Sequence, residues 1–119
     1  MKYTFTVDQT FKPYIHIVQV PRQLSDLAKQ TVSESYQVVI EGKQLTLYGY
    51  GEPVVASLVE NGVMNNPFHW FHGRDIVASY QGDGIVGGWL FIIYRDGTGV
   101  LEIFGSGRPL LEIKKGRLH

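Results

Sequence analysis

The sequence predicts an α+β fold, dominated by an antiparallel sheet of about seven or eight strands with two short helices, which could curl into a barrel. Residues 84–115 read as three consecutive strands joined by glycine-containing turns. Helical patterns are confined to two short stretches, and the links between strands are too short for parallel crossovers. We therefore expect antiparallel pairing within a single domain, residues 1–119.

The N-terminal part predicts two strands followed by the first helix. Apolar and polar residues alternate over residues 2–7, as in a half-buried strand, and residues 8–10 read as a turn. A second strand is expected over residues 14–20, and Pro21 would end it because proline cannot donate a ladder hydrogen bond. Residues 22–33 are predicted to be helical, since several apolar side chains fall on one face of a helix. That face comprises Leu24, Leu27, Ala28 and Val32.

The middle of the chain predicts a hairpin, the second helix and a further strand. Residues 36–40 and 45–48 alternate around a glycine-containing break and form the hairpin. Residues 54–59 have the spacing of a short amphipathic helix, and Pro53 suits its first turn. Residues 76–80 form the next strand. The hairpin side chains expected to face inward are Leu45 and Leu47.

The C-terminal meander supplies the predicted core. Residues 89–94 are apolar on both faces, so we expect both faces to be covered. Asp96 and Gly97 form the first turn, which requires positive φ at its centre. Alternation assigns inward and outward positions in the last two strands. The inward set is Leu101, Ile103, Leu111 and Ile113, and the outward set is Glu102, Glu112 and Lys114.

Composition excludes several classes of protein. Eleven basic and eleven acidic residues cancel, which argues against a duplex-DNA binder. The absence of cysteine excludes disulfides, thiolate catalysis and cysteine-based zinc sites. No apolar run approaches the ~20 residues of a membrane span, so we expect a soluble, cytoplasmic protein without a membrane partner. Low charge combined with 13% aromatic residues favours a homo-oligomer, most simply a dimer.

The one chemically unusual stretch, residues 66–75, admits an enzymatic interpretation. His69 and His72 could act as acid and base on a phosphodiester, because imidazole titrates near neutrality. Arg74 would then hold the phosphate, and His16 could join the site. This describes a metal-independent RNase or small-nucleotide phosphodiesterase. A metal held by these histidines and Asp75 is a weaker alternative, so we expect neither metal nor cofactor.

The leading hypothesis treats the same stretch as a contact surface. Trp and Arg dominate the energetic centres of interfaces, so Trp70 and Arg74 are the expected anchors, with Phe68 and Phe71 beside them. The chain would then be a small soluble binding protein acting through an oligomer or a partner-protein surface, like inhibitor or immunity proteins by analogy only.

Two further possibilities concern the sheet itself. A small-ligand-binding barrel would carry its ligand in an interior lined by apolar and aromatic side chains. Glu102 and Glu112 on adjacent strands could be neighbours, although a catalytic acid pair is a remote option. The lining expected for a ligand-binding barrel is Tyr48, Tyr50, Trp89 and Phe91.

Overall fold

The fold is a closed barrel of antiparallel strands. The computed structural model describes residues 1–14, 21, 23–59, 75–107 and 109–119. Within these ranges, strands pair with their neighbours in chain order, and the last strand pairs with the first. The strands are β1 (Lys2–Pro13), β2 (Leu27–Glu41), β3 (Gln44–Tyr48), β4 (Val54–Leu58), β5 (Ile76–Gly82), β6 (Trp89–Tyr94), β7 (Thr98–Phe104) and β8 (Leu110–Leu118).

The α+β prediction is wrong, because the described residues contain no α-helix and only one 3₁₀ turn, Leu24–Asp26. The first predicted helix fails because β2 starts at Leu27, directly opposite Pro13 of β1. Pairing along β1 satisfies the hydrogen bonds of the backbone in this stretch, which outweighs a weak helical propensity.

None of the described elements is a helix long and apolar enough to cross a membrane.

The second predicted helix is the strand β4. Val54 and Ala56 are buried in the barrel, whereas Val55 between them is exposed. A run of only five residues fits both a helical and a two-residue period, so its pattern cannot separate the two. The β-branched valines favour a strand. This strand, β4, pairs with β3 on one side and with β5 on the other.

The strand β1 is longer than predicted and contains a bulge. It continues to Pro13 where a turn was expected, with a register shift between Val7 and Gln9. The expected second strand spans residues 14–20, of which 15–20 lie outside the described residues. Because a bulge inserts one residue, it switches the faces of the strand. Val7 faces the interior before the bulge, whereas Phe11 faces outward after it, opposite Ile113.

The barrel interior is filled by a core, called here the interior core. Phe5 and Phe91 meet edge to face, with ring centroids 5.0 Å apart. An eight-stranded barrel is just wide enough for side chains to fill. The predicted inward positions Leu45 and Leu47 are confirmed. The buried members are Phe5, Val7, Tyr36, Val38, Leu45, Leu47, Val54, Ala56, Tyr80, Ile85, Trp89, Phe91, Leu101 and Ile103.

A second buried cluster, the outer cluster, lies on the outside of the barrel over β6, β7 and β8. The prediction that β6 is covered on both faces is confirmed, because Phe91 lies in the interior core and Ile92 in the outer cluster. Glu102 also faces outward on β7, yet it is fully buried rather than solvated. The buried members are Phe11, Leu27, Leu90, Ile92, Tyr94, Val100, Phe104, Leu110 and Ile113.

The turn after β6 is present, but its geometry differs from the prediction. Three residues separate Tyr94 from Thr98, and only Gly97 among them has positive φ, at 89°. The Gly97 amide donates to the Tyr94 carbonyl over 3.1 Å, and the Thr98 amide donates to the Asp96 carboxylate over 2.9 Å. This matches a three-residue hairpin loop with glycine at the left-handed position.

Candidate functional site: the barrel mouth

The sequence pointed to seven side chains as candidate site residues. All seven lie outside the described residues, so the enzymatic and interface hypotheses built on them remain predictions. The adjacent Asp75 is exposed and contacts Arg95, with the carboxylate 3.5 Å from the guanidinium. Within the described ranges, no group of three or more His, Asp or Glu residues could hold a metal ion. The seven are His16, Phe68, His69, Trp70, Phe71, His72 and Arg74.

The described residues include a polar site inside the barrel, and β8 contributes two of its charged side chains. The prediction that Glu112 and Lys114 face outward is wrong. Lys114 is opposite Leu101, and Glu112 is opposite Ile103. Paired residues share a face of the sheet, so both charged side chains point into the barrel. Conversely, Ile113 belongs to the outer cluster.

The face assignment also removes the possible acid pair. Glu102 is opposite Ile113 on the outer face, whereas Glu112 is opposite Ile103 on the inner face. The sheet therefore separates the two carboxylates, and a shared role on one substrate is excluded.

Four charged side chains form what we call the mouth network. It lies toward the barrel end that carries the β1–β2, β3–β4, β5–β6 and β7–β8 links, which we call the mouth. The Lys114 ammonium donates to Glu34 Oε1 over 2.7 Å and lies 3.2 Å from Glu112 Oε1. Lys12 Nζ lies 3.3 Å from Glu112 Oε2. Two cations and two anions therefore balance within the barrel wall.

The four side chains of the mouth network differ in their exposure to solvent, from Lys114 as the most buried to Lys12 as the most exposed. Lys114 has 6% of its side chain exposed and Glu112 has 14%. Glu34 has 33% exposed, and Lys12 has 59%. The innermost ion pair is thus sequestered, while one carboxylate and one ammonium remain accessible from the mouth.

Two tyrosines line the network. The Tyr36 hydroxyl donates to Glu34 Oε1 over 2.8 Å, and Lys114 Nζ lies 5.8 Å from the centre of the Tyr36 ring. Tyr50, on the β3–β4 link, lies next to Tyr36 with ring centroids 6.3 Å apart. Of the lining expected for a ligand-binding barrel, Trp89, Phe91 and Tyr50 belong with the interior core, whereas Tyr48 is exposed.

The electrostatics hold the network in its ionised form. The hydrogen bond from Lys114 is the main reason why the pKa of Glu34 is lowered, and it outweighs burial. Burial alone would lower the pKa of Lys114, but the bond to Glu34 and the charge of Glu112 raise it. Burial, followed by the bond to Glu34, raises the pKa of Tyr36 to about 12.

These shifts determine what the mouth network can do chemically. A nucleophilic lysine needs a lowered pKa, and a general acid or base works best with a pKa near neutrality. Glu34, Tyr36 and Lys114 are all shifted away from neutrality. The arrangement is suited to hydrogen bonding and charge recognition rather than to proton transfer.

The link between β5 and β6, which also lies at the mouth, contains a backbone outlier. Val86 has φ of 41° and an exposed side chain. A left-handed conformation is unfavourable for a β-branched residue, and such conformations concentrate at functional sites. Because this link lies at the mouth, the outlier is at the same end of the barrel as the mouth network.

One sequence signal could have revealed the inward charges. Lys114 and Lys115 are consecutive in a strand, and successive side chains in a strand point to opposite faces. Two adjacent lysines therefore cannot both lie on the outside of a barrel.

Comparison with known proteins gives no significant match to a protein-family model, a curated protein or a solved structure.

Proposed function

We propose that the protein acts by binding a small polar molecule at the mouth of its barrel. The observation that carries the proposal is the mouth network itself. Replacing buried ion pairs by apolar residues of similar volume is often neutral or stabilising, so stability alone does not explain inward charges. The interior core shows that this chain can fill its barrel with apolar side chains.

The accessible part of the network indicates the ligand class. Glu34 and Lys12 are the most exposed members, and the charge of Lys12 contributes to lowering the pKa of Glu34. The ring of Tyr50 adds an apolar wall. A ligand with both a cationic and an anionic group would pair with both side chains, and the mouths of β-barrels are common binding sites. The proposed ligand is a small zwitterion.

The test is a calorimetric titration with free amino acids and betaines as probes. Wild type should bind at least one zwitterion, and the double variant Lys12→Gln/Glu34→Gln should lose about tenfold in affinity or more. Lys2→Gln/Glu41→Gln is the matched control, because it removes one charge of each sign outside the mouth network.

Circular dichroism should show that both double variants stay folded. Equal binding by wild type and the mouth variant would contradict the proposal, as would the absence of saturable binding of any zwitterion to wild type.

A second candidate function is self-association, which the composition also predicts. On the outside of β3 and β4, Tyr48 and Val55 are 41% and 45% exposed. Thr46 pairs with Val55 and shares their face, and Gln37 pairs with Tyr48. A two-fold interface places like against like, so an uncharged face avoids repulsion between copies. We propose a second copy of this chain as its occupant.

Light scattering tests self-association. A wild-type dimer that becomes a monomer in Tyr48→Lys/Val55→Lys supports it, whereas a monomeric wild type at high concentration contradicts it. Val77→Lys serves as the control, because Val77 is an exposed apolar residue on β5 outside this patch.

A further inference from the structure

An open cleft of about 420 Å³ lies on the outside of the barrel, away from the mouth network. Its walls come from the outer faces of β1, β2 and β8 and from the 3₁₀ turn. This volume falls within the range of small-molecule sites. The side chains that the argument uses are Gln9, Phe11, Leu24, Leu27, Lys29 and Lys115.

The floor of the cleft is apolar and firmly held. Phe11 and Leu27 are almost fully buried members of the outer cluster, and Leu24 packs against them. The turn that carries Leu24 is held by two hydrogen bonds, each of 3.0 Å. The Gln23 amide donates to the Asp26 carboxylate, and the Asp26 amide donates to the Gln23 carbonyl. The floor of the cleft is therefore preformed, and Leu24, which is only half-buried, is its most accessible apolar residue.

The rim of the cleft is cationic. Lys29 is opposite Phe11 on one side of β1, and Lys115 is opposite Gln9 on the other. The two ammonium groups thus come from strands that flank the apolar floor. None of the described residues that line the cleft carries a carboxylate, so the two lysines give the described part of its wall a positive charge.

We propose that this cleft binds a small amphipathic anion, with its apolar body on Phe11, Leu24 and Leu27 and its anionic group between Lys29 and Lys115. The anionic group is a carboxylate or a phosphate, since both accept hydrogen bonds from ammonium groups. Desolvation of the apolar body supplies most of the affinity, and the lysines select for charge. The site is separate from the mouth network and does not depend on a ligand there.

The test uses NMR titrations of the full chain with octanoate, phenyl phosphate, octanol and inorganic phosphate. Octanoate or phenyl phosphate should bind saturably and shift the amides of residues 9–11 and 24–29. Octanol and inorganic phosphate should bind about tenfold more weakly, because octanol lacks the anionic group and inorganic phosphate lacks the apolar body. Comparing octanoate with phenyl phosphate identifies the preferred anionic group.

Two double variants separate the proposal from a nonspecific charge effect. Lys29→Gln/Lys115→Gln should lose about tenfold in affinity for the amphipathic anion. Lys2→Gln/Lys43→Gln removes the same charge elsewhere and should bind as wild type does. The proposal is overturned if neither anion binds saturably, if octanol binds as tightly as octanoate, or if the cleft variant keeps wild-type affinity. Shifts confined to the mouth would overturn it as well.

Discussion

Lys114 is the residue on which the mouth network depends, because it joins Glu34 to Glu112 inside the barrel. We expect Lys114→Met to destabilise the protein by about 2–3 kcal/mol, since it leaves two partly buried carboxylates without their cation. The loss is near or below the low end for a fully buried pair, because Glu34 remains a third exposed. Urea denaturation would measure it.

A triple variant provides the control for this prediction. Adding Glu34→Gln and Glu112→Gln to Lys114→Met removes the uncompensated charges while keeping an acceptor for the Tyr36 hydroxyl. Most of the lost stability should return. If the triple variant is as unstable as the single one, the damage comes from packing around position 114 and not from charge.

Stability should depend on pH through the same residues. The pKa of Glu34 is lowered from 4.5 in the folded state, so its stabilising contribution is present above this value and is lost as pH falls through the folded pKa. The pKa of Tyr36 is raised from 10.0 to about 12, so stability is lost as pH rises through that interval. Lys114, whose pKa is also raised, acts in the same alkaline direction.

The expected profile is a plateau from about pH 5 to 10 with a fall on each side. Unfolding midpoints in urea would define it. Glu34→Gln should flatten the acid side, and Tyr36→Phe should flatten the alkaline side. A variant that reproduces the wild-type slope on its own side would show that the residue does not carry that dependence.

At the scale of the element, closure of the barrel depends on how closely β8 approaches β1. Gly116 lies opposite Val7 of β1 and opposite Gly99 of β7. A Cβ at position 116 would overlap the Thr6 carbonyl. We expect Gly116→Ala to cost about 3 kcal/mol, because the clash is with backbone that cannot rotate away. Thermal or urea unfolding would report it.

Gly42→Ala is the matched control for the clash. Position 42 has φ of 60° and no atom within 4 Å of an added Cβ, so only the left-handed conformation is penalised, by about 1 kcal/mol. Equal losses at the two positions would mean that contact with β1 is not what requires glycine at position 116.

The elements also show where the sequence pattern was informative. The hairpin with Leu45 and Leu47 inward was predictable, because strict alternation beside a Gly-containing turn admits one interpretation. The first part of β2, up to residue 33, and the strand β4 were not, since short mixed runs fit a helix as well as a strand. The bulge at Val7–Gln9 reverses the faces of β1, and no proline or glycine at the bulge indicates it in the sequence.

At the scale of the whole molecule, the barrel places both ends of the chain side by side. Amides and carbonyls of Thr4 and His119 bond to each other at 2.8 and 3.0 Å, and the amino group of Met1 donates to Ile40 over 2.7 Å. A circular permutant that joins the ends through about five flexible residues, and opens between Gly42 and Lys43, should fold with wild-type circular dichroism.

A permutant opened between Phe91 and Ile92 is the contrasting case. It cuts β6, which carries fully buried residues on both faces, and it should fail to fold. If both permutants fold equally well, β6 is not needed as a continuous strand. If the permutant opened at the turn fails, the contact between the chain ends tolerates no linker.

The sequence by itself determined most of the strands, the turn around Gly97, and the two-faced burial of β6, because these follow from local alternation and turn chemistry. It also pointed to residues 66–75, whose role remains a prediction. Only the tertiary structure decided that the sheet closes, that β1 changes face, and that Lys114 lies inside the barrel. Alternation assigns residues to two faces, but it does not say which face is the interior. That choice is made by pairing with neighbouring strands, and for β8 those neighbours include β1 at the other end of the chain.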